Sequence, residues 1–372
     1  MIETLDTYHG QVTGIFSGDE VLAGKNPVQG IELCAVVEYM FSLETLLAIS
    51  GVPAFADRLE RIAFNALPAT FKPDMWAHQY DQQANQVICS VADDRLYTTN
   101  GPDANIFGLE PNFGCCTANM HQGWPKLTTH LWMRSADGGL VVLVYAPCIV
   151  STSVAGVAVR IEVQTLYPFA EDVYIDVSCE RPVYFPLQLR IPEWARGTTI
   201  TLDDHGDEQV QPGTFHIIER EWSTPASVHL RLSMPIKTQT RYANSVSIER
   251  GPLVYSLLIN EEWRQIRGEL PHADWEVHPV GFWNYALEID REYPKNSCLL
   301  VSRPVGDMPF SPEGAPTQLH MYGRRVPAWT IEHNAAGPLP QSPVTSTEPR
   351  EELTLIPYGC TNLRVTEFPL LG

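Results

Sequence analysis

The sequence predicts an α+β multidomain protein, a helical region followed by antiparallel β-sandwich structure. Three observations predict it. Apolar residues recur at three- and four-residue steps in the first part of the chain. After Gly138 the period of the pattern becomes two. The 30 prolines and 25 glycines among 372 residues are too many for an all-helical protein and call for many turns.

The first helix is expected over Ile31–Ile49, where Leu33, Val36, Val37, Met40, Leu43 and Leu47 form a stripe that Phe41 and Leu46 widen. Gly51 and Pro53 end it. A second is expected from Pro53 to Leu67, with Phe55, Leu59, Ile62 and Ala63 on one face. A third should start near Thr117 and reach Leu131, with Pro125 kinking or splitting it. Between Pro68 and Gly114 the periodicity breaks down into polar, aromatic-rich sequence (MWAHQYDQQANQVICS), which reads as long loops with short strands, and long structured loops in an enzyme domain usually line sites.

Strands follow. Val157, Val159, Ile161 and Val163 alternate with polar neighbours, as do Val173, Ile175 and Val177, and then Val228, Leu230 and Leu232. Turn signals such as Asp203-Asp204-His205-Gly206 and Gln211-Pro212-Gly213 separate such runs. A second, irregular all-β portion is expected after Leu258, with a Pro/Ser/Thr-rich surface loop over Asn334–Glu351. The expected domains are 1–135, 136–260 and 261–372.

Composition bounds the partners. The formal net charge is -19, from 44 acidic and 25 basic residues, and no Lys/Arg run interrupts it. Such a surface repels polyanions, so no nucleic acid partner is expected. No stretch is read as the ~18 apolar residues that cross a bilayer, so no membrane is expected. The polar start MIETLDTYHGQ has no basic region followed by an apolar run, and eight cysteines in a chain this long do not suggest a disulfide scaffold. A reducing, cytoplasmic location is the expectation.

The sharpest chemical signal is Glu32-Leu33-Cys34 together with Cys115-Cys116. Adjacent cysteines do not easily form an unstrained disulfide with each other, but they can supply thiolates to a soft metal. One carboxylate and three thiolates make the four ligands of tetrahedral zinc. The alternative is cysteine as a small core residue. Residues two apart on a helix point about 200° apart. Glu32 and Cys34 can therefore share an ion only if Glu32 precedes the helix in extended or turn geometry, an entry that Gly30 permits.

The segments GIELCAVVEYMFSLE, FADRLERIAFNALPA and NFGCCTANMHQGWPKL, with LQLRIPEWA and SIERGPLVYSL in the β region, resemble the pattern of glycoside hydrolase family 127, the β-L-arabinofuranosidase family. The resemblance runs in order along nearly the whole chain. It implies a retaining glycosidase acting on β-L-arabinofuranosides or related pentose glycosides, with a carbohydrate as the substrate and Zn2+ as the cofactor. It implies Glu32, Cys34 and Cys116 as zinc ligands. Cys115 would be the nucleophile, bound to the metal or beside it. Glu60 matches a family carboxylate that touches substrate hydroxyls; read from its neighbours alone, it is a solvated helix charge or a partner of Arg58 or Arg61. The general acid should lie upstream of Glu32, where Glu20 is preferred and Asp19 is the alternative. This sequence departs from the family there, since Ile15 separates Gly14 from Phe16. His9 and the His78-Gln79-Tyr80 segment are candidate sugar contacts, with polar surface or core as the alternative for a lone His, and Trp76 is a sugar platform or a core ring.

The resemblance also implies an (α/α)6 catalytic barrel. Twelve helices of ~11–12 residues with their loops need several hundred residues. Residues 1–135 would then be the C-terminal part of such a barrel. Another chain completing it, or a homodimer, is the expected partner. The alternatives are an inactive remnant around a structural zinc and a carbohydrate-binding β-sandwich module.

Overall fold

The structure is a computed structural model that describes residues 1–95, 101–109, 113–203 and 205–372. Part of the expected loop region 68–114, Asn112 of the paired-cysteine segment and Asp204 of one expected turn lie outside these residues. The protein is α+β, with few helices and many antiparallel strands.

The helices are α1 Ile2–His9, α2 Leu33–Ser50, α3 Pro53–Arg61, α4 Gly114–Met120 and α5 Gly123–Thr129. Along α2 the expected stripe is buried, whereas Phe41 and Leu46 are exposed. Its 18 residues, with a hydropathy of 1.6, make it long and apolar enough to cross a membrane by length and composition. That corrects the reading that no stretch approaches this size. Glu38 and Glu44 interrupt the apolar run without lowering its mean enough. α3 ends earlier than expected because Ile62–Ala66 widens into a π turn. The widened turn aims Asn65 at the backbone of another segment: its Nδ2 donates to Pro252 O (2.9 Å) and its Oδ1 accepts from Val254 N–H (2.9 Å). The expected third helix is two short ones. Pro125 sits in the first turn of α5, where its missing N–H leaves no helical bond unmade.

The described residues group into two compact units: Met1–Met40, Arg61–Gly123 and Ile236–Gly372 form one, and Phe41–Glu60 with Trp124–Pro235 the other.

In the second unit a six-stranded antiparallel sheet runs in the order Glu208–Gln209, Thr199–Leu202, Ala226–Arg231, Asp172–Cys179, Val157–Thr165, Cys148–Val154. A four-stranded sheet orders Thr214–Trp222, Val183–Ile191, Leu140–Val142 and Trp132–Arg134, with the middle pair parallel. Alternate residues are buried, as in Val157, Val159, Ile161 and Val163. This is the pattern of sheets with one face in a core. Trp222 is fully buried, stacks on Phe185 at 5.6 Å and donates from Nε1 to Phe185 O (2.9 Å).

In the first unit the main sheet orders Ile236–Thr240, Val246–Arg250, Leu253–Leu257, Arg350–Pro357, Thr317–Arg325 and Tyr285–Glu288, and Cys298–Ser302 also pairs with Thr317–Arg325. The hairpin Asn260–Arg267/Asp274–Val280 stands apart from it in the strand pairing. Residues 77–90, polar and expected as loops, are buried throughout. Their amides do the work that a ladder would otherwise do. Gln79 Nε2 donates to Asn105 O (2.7 Å), Gln82 Nε2 to Ala66 O (2.7 Å), Asn85 Nδ2 to Glu367 O (3.0 Å) and Gln86 Nε2 to Asn362 O (2.7 Å). The guanidinium of Arg364, wholly buried, donates to Gln83 O (2.9 Å) and Thr361 O (2.8 Å). This network holds the short strand that faces the E-x-C turn.

Candidate metal centre

That turn is a strand-to-helix junction. Strand β1, Ile31–Glu32, pairs antiparallel with β2, Asp81–Gln82, so that Glu32 lies opposite Asp81. Leu33 N–H then donates to Tyr80 O (2.9 Å), and α2 begins. Glu32 is thus extended and Cys34 is in the first helical turn, the geometry that the two-residue spacing demands.

The paired cysteines open α4. Phe113, just before it, stacks on Tyr80 with centroids 4.0 Å apart. Thr117 Oγ1 donates to Leu109 O (3.0 Å) and lies 3.1 Å from His78 Nε2, while His78 Nδ1 lies 3.1 Å from Gln79 O. These contacts fasten α4 to the segment leading into β2. As a result, one ligand atom from each of Glu32, Cys34, Cys115 and Cys116 lies within 4.8 Å of all the others. Cys34 Sγ is 3.3 Å from Cys116 Sγ. Cys116 is buried and Cys115 is exposed.

The donor set fits zinc. Thiolates about 2.3 Å from a tetrahedral ion lie roughly 3.8 Å from one another, within reach of this cluster after small side-chain adjustments. The electrostatics point the same way. Burial, then a hydrogen bond with Cys34, raises the Glu32 carboxyl to about 8. The hydrogen bond from Cys116 is foremost in lowering the Cys34 thiol to about 6. Its role as donor to Cys34, followed by burial, pushes the Cys116 thiol up, and burial pushes up that of Cys115. Glu32, Cys115 and Cys116 thus hold on to their protons, while Cys34 gives its own up more readily. A divalent cation would favour the deprotonated form of each.

The other expected site residues fall in different surroundings. Asp19 is buried and Glu20 is exposed with φ 73°. Both charges act on Glu32. Their loop is anchored where Glu32 N–H donates to Gly18 O (3.1 Å), and where His9 Nδ1 accepts from Gly24 N–H (3.0 Å). His9 and His78 therefore each brace a segment of the site. Trp76 is exposed and meets His272 edge-on at 5.2 Å.

Glu60 belongs to the second unit and is fully buried there. Its Oε2 is 2.5 Å from Arg190 Nη2 and accepts from Tyr167 Oη at 2.5 Å, while Arg190 also pairs with Asp57. Burial raises the Glu60 carboxyl against the pull of Arg190. It is neither a solvated charge nor a partner of Arg58 or Arg61. The partner comes from the strand Val183–Ile191, which no local pattern reveals.

Two contributors, Asn119 and Asp81, escaped the sequence reading, while Tyr80 belongs to the expected sugar-contact segment. Asn119 hydrogen bonds to the Cys34 thiol from within α4. Tyr80 supports Phe113. Asp81 is wholly buried, and burial, then Asp19, pushes its carboxyl well up. The two residues at 80 and 81 lay in the polar segment already marked as lining a site, but only strand register singles out Asp81.

Residues 139–234 match the family model described as Beta-L-arabinofuranosidase, GH127 middle domain. Among solved structures, the chain is similar to a GH127 β-L-arabinofuranosidase from Geobacillus stearothermophilus T6, at 21% identity and a TM-score of 0.67, covering 98% of this chain and 54% of that one. It is similar to a glycoside hydrolase at 18% identity and a TM-score of 0.73, covering 100% and 61%. A GH127 β-arabinofuranosidase matches at 17% identity and a TM-score of 0.68, covering 98% and 54%. The chain thus spans between 54% and 61% of the length of these structures, and at such identities the likeness is one of fold. No curated protein matches. Residues 139–234 thus match that family's middle domain, and the chain as a whole shares the fold of these structures.

Proposed function

We propose that this chain carries the zinc-and-cysteine centre of a retaining glycoside hydrolase acting on β-L-arabinofuranosides or related pentose glycosides. The observation that carries the reading is the convergence of Glu32, Cys34, Cys115 and Cys116 within 4.8 Å, with Cys115 the exposed sulfur. These four residues would hold the ion. When bound, zinc supplies positive charge that lowers the thiol pKa and keeps sulfur a competent leaving group. The Cys115 thiolate attacks the anomeric carbon. A carbon–sulfur bond forms, the glycosidic carbon–oxygen bond breaks, and the departing oxygen takes a proton from a carboxyl group. The same carboxylate then deprotonates a water molecule, which displaces the sulfur with net retention. Burial beside Glu32 supports Asp19 as that carboxyl over the exposed Glu20.

The proposal includes helices that complete the barrel, supplied by another chain or by a second copy. One observation favours a second reading. Four protein ligands match closed structural zinc sites, whereas catalytic sites usually keep an open position. Metal analysis beside turnover of a p-nitrophenyl pentofuranoside panel separates the two. One zinc per chain with turnover supports the enzyme, and one zinc with no turnover on any sugar supports a structural centre.

A further inference from the structure

The outward face of the six-stranded sheet in the second unit is hollowed, and its register shows why. Strand pairing sets Thr201, His229, Tyr174 and Gln164 in one outward row across four strands, and Ser227, Asp176, Glu162 and Ile149 in the next. Ser178, Arg160 and Ser151 form a third. Among the described residues, no lysine lies on a strand of this sheet. Short hydroxyl side chains leave open the space that long charged ones would cover. Three hollows result. One of about 800 Å³ is bordered by Tyr174, Gln164, Glu162, Ile149, Leu166 and Asp172. One of about 500 Å³ lies over Ser151, Arg160 and Ser178, and one of about 340 Å³, sharing Ser178, lies over Asp176 and Ser227.

Tyr174 is 50% exposed yet fixed. His229 stacks on one ring face, with centroids 4.5 Å apart and planes 9° apart, and its Nε2 is 2.8 Å from Asp172 Oδ1. His229 stands on the side of Tyr174 away from Gln164, so the other ring face is turned to the largest hollow. A ring already held in place offers a flat apolar surface with little freedom left to lose on binding.

The chemistry of the face selects the occupant. Glu162, Asp172 and Asp176 present acceptors, Arg160 is paired with Glu162 (2.8 Å), and the chain carries a net charge of -19, so a polyanion is repelled. The exposed large apolar residues at this face are Ile149, Leu166 and Tyr174, gathered at one hollow, whereas a stable protein interface needs ~800 Å² per partner around an apolar core. A neutral glycan suits both halves of this surface: the C–H groups of a sugar ring pack on an aromatic face, and its hydroxyls bond to carboxylates, amides and serines.

We propose that this sheet face is a non-catalytic binding surface for a neutral glycan chain, with Tyr174 as the platform for one sugar ring. It goes beyond the glycosidase reading and does not depend on the zinc centre, whose four ligands belong to the other unit.

The test uses the full chain with zinc in place. The probes are soluble arabinan, soluble galactan and, as an anionic comparison, polygalacturonate. Affinity electrophoresis should show retardation by a neutral polymer and none by polygalacturonate. Tyr174→Ala should weaken that binding about 10-fold, Tyr174→Phe should keep it, and Gln164→Ala, across the hollow, should weaken it about 3-fold. Cys115→Ala should leave it unchanged. No retardation by either neutral polymer, equal retardation by polygalacturonate, wild-type binding in Tyr174→Ala, or binding lost in Cys115→Ala would each overturn the inference. Thermal unfolding identifies a Tyr174→Ala chain that fails to fold, in which case wild-type binding in Gln164→Ala overturns it instead. A dimer that Tyr174→Ala dissociates would mark a second copy as the occupant and overturn it too. Turnover of a pentofuranoside without Tyr174-dependent binding sinks this inference alone. Tyr174-dependent binding without turnover on any sugar sinks the glycosidase reading alone.

Discussion

Cys34 Sγ and Cys116 Sγ meet at 3.3 Å, although 82 positions separate them in the chain. Neither sulfur can be removed without leaving the other facing a gap in the donor set. Cys34→Ala and Cys116→Ala should each weaken zinc binding by at least 100-fold, as measured by competition with a chromogenic chelator. Cys115→Ala should abolish turnover as well. Zinc retained at wild-type affinity in Cys34→Ala would show that this sulfur is not a ligand.

The pH dependence of the metal-free protein has a worked sign. Glu32 is raised from 4.5 to about 8, so its contribution is fully present below pH 4.5 and is lost as pH rises through 8. Cys34 is lowered from 9.0 to about 6, so its contribution is present above pH 9 and is lost as pH falls through 6. Between about pH 4.5 and 6 only the Glu32 effect operates at this centre, and between 6 and 8 the two oppose each other. Glu32→Gln should therefore flatten a fall in Tm between pH 4.5 and 6. An unchanged slope in that window would rule out Glu32 as its source.

The buried ion pair of Glu60 with Arg190 leads to a large effect on stability. Arg190→Met strands two carboxylates, Glu60 and Asp57, and should cost roughly 3–5 kcal/mol in urea unfolding. Glu60→Gln keeps the hydrogen bond from Tyr167 and should cost less. Equal, small losses would mean that water already reaches the pair.

Asn85 tests the buried polar network. Its Oδ1 accepts from the N–H groups of Thr366 (2.8 Å) and Glu367 (3.0 Å), and its Nδ2 donates to Glu367 O (3.0 Å). Asn85→Ala leaves three backbone groups unpaired in a dry interior and should cost roughly 2–4 kcal/mol by chemical denaturation. Zinc affinity should fall too, because the network supports β2 opposite Glu32.

Much of this organisation was legible in the residues themselves. The period-two runs around Val159, Ile175 and Leu230 are strands, and the stripe of α2 is buried, since burying one face imposes a repeat on the sequence. The cysteines were legible by type, since few roles suit an adjacent pair beside an E-x-C turn. Residues 77–90 were not, because polarity normally marks solvent. Here the amides find partners near residue 365, and sequence spacing carries no trace of such pairings. Nor did any local signal join Asp57 to Arg190, which are 133 positions apart. Register, which sets Asp81 opposite Glu32, is a property of two strands and cannot be read from either alone.

Arg364, Thr366 and Glu367 clasp the segment that carries β2. During synthesis, the cysteines and Glu32 leave the ribosome long before these residues exist. The cradle for the ion can therefore close only after residue 367 has been synthesised, so metal capture should lag well behind the synthesis of its ligands.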